Sequence, residues 1–553
     1  MHATHATHDW STHDVDNVVS AAQARNLYDT DAALREAVLR EGAAWADDTL
    51  HGIGAELGQS EQAERARLAN AFAPELCAYD PQGRRVDQVR FHPAWHELMA
   101  GIWRRGLHCS PWVREREGAF VARAAAFLLQ GQVEAGTLCP TTMSFAAVPL
   151  LREQPGLWES LQAHLFSPDY DPADAPLEGK RGMLVGMGLT EKQGGSDLRA
   201  VATRARAIGA PGSGRAYTLV GHKWFFSAPQ SDAHLVLARD GDAAPSCFYL
   251  PRWTPDGRRN ALRLRRLKDK LGNRSNASAE VEFEDAWALL LGEPGRGIAT
   301  MLRMAHYTRM DNVLGSAALL RAGVAAALHH ARHRRAFSRP LDEQALMQVV
   351  LGDLVLESEA ATALALRLAA AFERAATDPL AAALQRMLTP AAKFWVCKRA
   401  VQALAECMEV LGGNGYVEES GLPRLLREAP VNSIWEGSGN VVALDVLRAL
   451  RGAPESARVL RDWLGAQGAA PAEALRGFDA LCAQALHDDA LARQVAQQLV
   501  LLVQATLLRA HAPQQVADAF CATRLQGARA GVFGIGLSAP AAAALLRRAW
   551  PLD

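Results

Sequence analysis

The hydrophobic rhythm of the chain changes twice. Up to about residue 180, apolar positions recur every three or four residues, as over 31–57 and 117–135, in stretches rich in Ala, Leu, Glu and Arg. That spacing predicts amphipathic helices, punctuated by Pro and Gly clusters near 80–83 and 168–182. From 183 onward, short apolar runs alternate with turns, at 183–190, 216–227, 233–239, 246–253, 261–267 and 279–286. Their lengths and turn spacing predict an antiparallel β domain ending near 290. Helical spacing returns after the turn Gly292–Gly297 and runs through 298–337, 342–376 and 380–411, up to the Gly-rich stretch 412–421. Residues 448–553 continue as Ala-rich helices broken at Pro454, Pro471 and Pro513.

This order predicts an α+β architecture of four parts: a helical domain over 1–182, a β domain over 183–290, a helical domain over 291–447 and a helical extension over 448–553. No internal repeat is present, and no G-x-G-x-x-G opens a βαβ unit, which argues against a Rossmann fold. A length of 553 residues accords with several domains. The formal net charge of -1 leaves no whole-molecule field to attract nucleic acid or membrane, so any anion site must be local. Of the 59 basic residues only seven are Lys: Lys180, Lys192, Lys223, Lys268, Lys270, Lys393 and Lys398. An Arg cluster in such a chain therefore carries little weight by itself. The eight Cys form no C-x-x-C pair, which argues against zinc or dithiol chemistry and for reduced thiols in a cytoplasm. The N-terminal stretch with four His lacks the apolar core of a signal peptide and reads as a tail rather than a metal site. The apolar run Leu499–Leu508 contains Gln504 and is too short to span a bilayer.

Four motifs carry candidate chemistry. Gly188–Asp197 places Gly194 and Gly195, which allow close backbone approach, beside the hydroxyls of Thr190 and Ser196. Asp197 can brace that loop through its own backbone. Gly221–Ser227 combines the aromatic rings Phe225 and Phe226 with Ser227, a pairing suited to a flat heterocycle with ring nitrogens. Glu409–Tyr416 is rich in glycine and is followed by Arg424, Arg427 and Glu428. Ile434–Asn440 sets Glu436 between Trp435 and Gly437; a carboxylate desolvated by Trp435 is a better base near neutrality, and Gly437 leaves room for a substrate. Taken singly, each has a plainer reading: a tight turn, an amphipathic strand, a glycine-capped helix, a surface loop.

Jointly, the first and third motifs match the two signatures of the acyl-CoA dehydrogenase family, and the fourth resembles that family's catalytic-glutamate loop. The domain order matches as well. Within the family the chain is most similar to the flavoprotein associated with the adaptive response to DNA alkylation, on residues 79–96, 190–197 and 432–440. The resemblance covers nearly the whole chain and weakens over 452–553. It implies FAD as cofactor, an acyl-CoA as substrate of a weak dehydrogenase activity, and a role in the response to DNA alkylation. Glu436 would take the α-proton of the thioester, its backbone N–H would hold the thioester carbonyl, and hydride would pass to flavin. By the same resemblance Thr190 and Ser227 bond the flavin ring, Phe225 packs on it, and Ser196 faces flavin or substrate with Gly437. Met187, Leu189, Gly195 and Phe226 on the β side, and Ile434, Trp435, Ser438 and Asn440 on the glutamate loop, complete the cofactor contacts. Some relatives place the base just before an Arg on an earlier helix; here that position, before Arg309, is Thr308.

A family pattern that binds the FAD pyrophosphate of a neighbouring subunit fits Ala331–Phe337 and assigns Arg334, Phe337 and Gln344 to it, with Ser338 where glycine is usual. Arginine suits phosphate because its fork binds two oxygens at once. The resemblance thus implies a homo-oligomer, tetrameric in the family. It also raises double-stranded DNA as a partner, held without sequence preference by the extension, where Arg448, Arg451, Arg458 and Arg461 form the densest run of cations. An ordinary short- or branched-chain acyl-CoA dehydrogenase and a flavin oxidase or monooxygenase on the same scaffold remain as alternatives.

Overall fold

The computed structural model describes residues 12–20, 24–466, 471–526 and 531–549. His2, His5 and His8 of the predicted N-terminal tail lie outside the described residues. A helical array comes first, interrupted by a hairpin of β1 (Glu75–Tyr79) and β2 (Arg85–Arg90). The hairpin falls in a region whose spacing predicted helix. Its turn is set by Asp80, whose Oδ1 accepts the N–H groups of Gln82 and Arg84, and by Gly83 at φ 77°. Arg85 then reaches the Leu264 carbonyl and docks the hairpin on the β domain.

That domain contains β3 (Val185–Gly188), β4 (Arg204–Ala207), β5 (Ala216–Ser227), β6 (Ala233–Asp240), β7 (Ser246–Pro251), β8 (Leu262–Leu267) and β9 (Ser278–Leu291). The path β6-β4-β5-β9-β7 returns to β6, so five strands close into a barrel, with β3 added to β6 and β8 to β9. The expectation of an antiparallel sheet is corrected at one edge: β3 and β4 both run parallel to β6. They follow one another along that edge, so the segment 189–203 between them is forced out of the sheet as a long excursion. β6 is buried on both faces: Leu235 and Leu237 pack outward, against the 138–151 and 297–333 helices, and Val236 and Ala238 pack inside the barrel. This explains an apolar run without polar alternation.

Past the barrel, Gly297–His333 forms a single 37-residue helix, followed by a two-residue hairpin of β10 (Arg335–Ala336) and β11 (Arg339–Pro340) and the helix Ala345–Arg374. The stretch read as one helix over 380–411 is Pro379–Ala383, a π-turn over Leu384–Leu388, and Thr389–Val410. The helix Gly439–Gly452 runs unbroken across position 448, so Arg448 belongs to the helix that follows the glutamate loop. Among the described residues two helices are long and apolar enough to cross a membrane, Gly297–His333 and Asp489–His511; the second contains the run Leu499–Leu508. Most of each apolar window is buried inside the fold. The helices Ala32–Arg40 and Ala539–Ala549 pack together on Ala345–Arg374, where Arg548 bonds both Glu36 and Glu359.

Candidate active site

The excursion 189–203 is pinned from beneath. Glu191 is buried and accepts from Lys223 Nζ at 2.7 Å, from Thr203 Oγ1 and N–H, and from the Ala202 N–H. Burial works to raise this carboxyl, but Lys223, Thr203 and Ala202 outweigh it and hold it at about 2. The Thr190 carbonyl accepts the Trp224 N–H at 2.8 Å, which joins the first motif to the second. Asp197 braces the loop as expected, accepting the Arg199 N–H. A Cβ on Gly195 would lie 2.3 Å from Thr190 Oγ1, so only glycine leaves that hydroxyl in place.

On β5 a bulge between Lys223 and Phe226 turns Trp224 and Phe225 outward. The Phe225 ring is 53% exposed, with Lys268 Nζ 4.9 Å from its centroid. Phe226, expected at the cofactor, lies instead wholly inside the barrel, stacked on His234 at 3.9 Å. Successive strand residues point to opposite faces, so Phe225 and Phe226 cannot both line one site. Ser227 is half-buried, with its Oγ 3.5 Å from that of Ser278.

The glutamate loop lies between the helices Leu422–Asn432 and Gly439–Gly452. Two consecutive residues adopt left-handed backbone, Glu436 at φ 57° and Gly437 at φ 104°. For Glu436 this is strained, and two cations hold it. Arg309 Nε donates to the Glu436 carbonyl at 2.9 Å, and the buried Lys393 Nζ donates to the Gly437 carbonyl at 2.7 Å. Arg309 is aligned by Asp445 at 2.8 Å, which also meets Arg386 from the π-turn. The Glu436 carboxylate accepts from Thr308 Oγ1 at 2.8 Å. Burial raises this carboxyl above the usual range, and the Thr308 hydroxyl, Arg309 and Lys393 pull part of the way back. The Glu436 N–H makes no hydrogen bond among the described residues.

The two halves of the site meet at Cys139. Burial pushes its thiol up to about 12, with Lys270 opposing and Glu436 adding to the shift. Leu189, Met187 and Trp435 pack against one apolar cluster that includes Cys139 and Met143. Ser196, Ile434, Ser438 and Asn440 are exposed at the rim, and Asn440 Oδ1 faces Arg493. A cavity of about 540 Å3 lined by His164, Tyr249, Trp253 and Trp287 shares no residue with this site.

Arg334, Phe337 and Gln344 are not brought here. Arg334 lies 25 positions beyond Arg309 at the end of one continuous helix, about 37 Å away at helical rise. Phe337 and Ser338, both left-handed, form the tip of the β10–β11 hairpin, and Phe337 is 93% exposed. Three of the four arginines expected at DNA are engaged within the fold. Arg451 bonds Asp489 and the carbonyls of Ala485 and Leu486, Arg458 bonds Glu455, and Arg461 bonds Asp479 through two nitrogens; only Arg448 of the four points to solvent without such a partner among the described residues. Asp489 and Asp479 lie 38 and 18 positions from their arginines, beyond the reach of local spacing, whereas Glu455 stands three positions before Arg458. Thr308, Arg309, Lys393 and Asp445 were not singled out as supports of the glutamate. The one available signal was Lys393 itself, a lysine kept amid arginines.

Residues 17–172 match the family model "Adaptive response protein AidB N-terminal domain", 186–286 the acyl-CoA dehydrogenase middle domain, and 295–451 the acyl-CoA dehydrogenase C-terminal domain. The chain is 55% identical over 443 residues to the putative acyl-CoA dehydrogenase AidB of Escherichia coli, covering 80% of this chain and 81% of that protein. The crystal structure of Caenorhabditis elegans ACDH-11 in complex with C11-CoA superposes with a TM-score of 0.84 at 25% identity, over 97% of each chain. A Bacillus anthracis acyl-CoA dehydrogenase complexed with FAD shares the fold, with a TM-score of 0.61 at 17% identity over 83% of this chain and 81% of that one. With its glutamate loop, β barrel and helical frame in the shared order, this chain belongs to the acyl-CoA dehydrogenase family of oxidoreductases.

Proposed function

We propose that the protein oxidises an acyl-CoA thioester between its α- and β-carbons, with FAD as cofactor and Glu436 as base. The observation that carries this is the Glu436 loop. Its carboxylate is desolvated yet held by one hydroxyl, and its N–H finds no acceptor among the described residues while cations occupy the neighbouring carbonyls. A free N–H beside a raised carboxyl suits a substrate whose carbonyl must be stabilised while the adjacent C–H is deprotonated.

The residues fit FAD. Phe225 offers a flat exposed face, Ser227 and Thr190 offer hydroxyls beside it, and a Cβ at Gly195 would close the cradle. FAD, when bound, supplies the hydride acceptor. The chain's own task is to hold the thioester carbonyl on the Glu436 N–H and to receive the α-proton on the Glu436 carboxylate. The distance from Arg309 to Arg334 supports the reading that Arg334, Phe337 and Gln344 hold the phosphates of FAD in a neighbouring copy, within a homotetramer. Eight unpaired cysteines accord with a cytoplasmic protein. The test is Glu436→Gln: flavin bleaching by acyl-CoAs under anaerobic conditions should fall by about 10^2–10^4-fold while FAD stays bound. Bleaching at the wild-type rate overturns the role of Glu436.

A second reading places this activity in the response to DNA alkylation. It is supported by the match of 17–172 to the adaptive-response domain and by the Escherichia coli relative. Contact with double-stranded DNA would use phosphates only, through Arg448 and whichever paired arginines exchange a carboxylate for a phosphate. An electrophoretic shift across a salt series tests it, and no shift at low salt removes it.

A further inference from the structure

Residues 12–20 cross the last turn of the Gly297–His333 helix as a strap. At its centre Asn17 is held at φ 56°, a left-handed conformation that Asn tolerates better than most residues. Its side-chain amide makes two bonds to one residue: Nδ2 donates to the Arg335 carbonyl at 2.8 Å, and Oδ1 accepts the Arg335 N–H at 2.8 Å. The Asn17 carbonyl accepts from the Arg334 guanidinium. Asp16 Oδ1 accepts the Asn17 N–H at 2.8 Å, and one turn back the His329 ring meets the Ser20 carbonyl at 2.9 Å.

We propose that Asn17 is a positioning residue for cofactor phosphate, fixing the guanidinium of Arg334 before FAD of a neighbouring copy arrives. This rests on the reading of Arg334 given under Proposed function. A long arginine on a surface loses rotamer freedom when it grips a ligand, and a guanidinium already fixed loses less. The contact consumes a single N–H and its acceptor is a neutral carbonyl, so the full charge and the remaining donors stay available for a phosphate fork. The amide of Asn17 does the anchoring through Arg335, which leaves the bond to Arg334 a consequence of where the main chain is held. The surroundings are those of a face that another molecule covers: Val15, Val18, Phe337 and Leu346 are all exposed around this arginine's segment and strap.

The test uses the full-length chain, freed of flavin and titrated with FAD while flavin fluorescence is followed. Asn17→Gly keeps the left-handed turn and the carbonyl but removes the amide; Asn17→Asp keeps the acceptor for the Arg335 N–H and removes the donor. Asn17→Gly should raise the Kd for FAD about tenfold, and Asn17→Asp by less. Arg334→Ala should raise it further, and adding Asn17→Gly to Arg334→Ala should change nothing more. Oligomer mass and thermal unfolding of the flavin-free chain should be the same for Asn17→Gly and wild type. A wild-type Kd for Asn17→Gly, or an equal loss with and without Arg334, overturns the inference. A wild-type Kd for Arg334→Ala instead overturns the phosphate role of Arg334 itself.

Discussion

The glutamate loop and the C-terminal extension are both crowded with cations, and they use them in opposite ways. Around the loop, Arg309 and Lys393 are buried on neighbouring helices and each donates to a main-chain carbonyl, so charge becomes backbone geometry. In the extension, Arg458 and Arg461 meet carboxylates at the surface, where water screens both partners. The sequence offers the second group as the denser cluster, yet the first shapes the chemistry. Burial and the choice of partner, and not the number of arginines, decide what a cation does.

The widest contrast comes from removing one cation of each kind. Arg309→Met leaves Asp445 partly uncompensated and frees the Glu436 carbonyl; breaking a buried pair in this way costs about 3–5 kcal/mol. Denaturant unfolding should show that loss together with failed flavin reduction. Arg461→Met should cost less than about 1 kcal/mol and leave flavin reduction intact. Equal losses would erase the distinction.

A finer cut is Thr308→Val, which keeps shape and removes the hydroxyl on Glu436. That hydroxyl favours the ionised carboxylate, so its loss raises a carboxyl already raised by burial. Because the base must be ionised to take a proton, the rising limb of the pH–rate profile should move to higher pH. Rates should approach wild type once pH lies well above that limb. Stopped-flow flavin reduction across pH reads this, and an unmoved limb means the hydroxyl does not tune the base. The smallest effect is expected from Arg448→Gln with Arg458→Gln. Flavin reduction should stay within about twofold of wild type, and any DNA binding should lose at most about 0.9 per lost contact in its log–log salt slope.

Much of the frame was legible in the sequence because it is local. Helical and strand spacing, the turn at Gly292–Gly297 and the glycine loops depend on neighbouring residues. Part of what escaped depends on residues far apart in the chain. The parallel edge of β6 is invisible because a strand buried on both faces shows no alternation. The 75–90 hairpin was hidden among helices by its shortness. Phe226 is inside the barrel because adjacent strand residues point to opposite faces, so only one of two neighbouring rings can reach the site. Thr308 meets Glu436 across 128 positions, and Lys393 meets Gly437 across 44.

The meeting of the 32–40 and 539–549 helices on one side of the 345–374 helix bears on how the chain is made. Glu36 and Arg548 are 512 positions apart. At roughly 5–20 residues per second a ribosome takes on the order of a minute to pass from one to the other. Through the later part of that interval Glu359 sits on a helix face whose cation has not yet been synthesised, beside apolar surface that the last helix will cover. A nascent chain therefore carries an open groove for far longer than a small domain needs to fold, and it is during translation that this protein is most exposed to chaperones and to other unfinished chains.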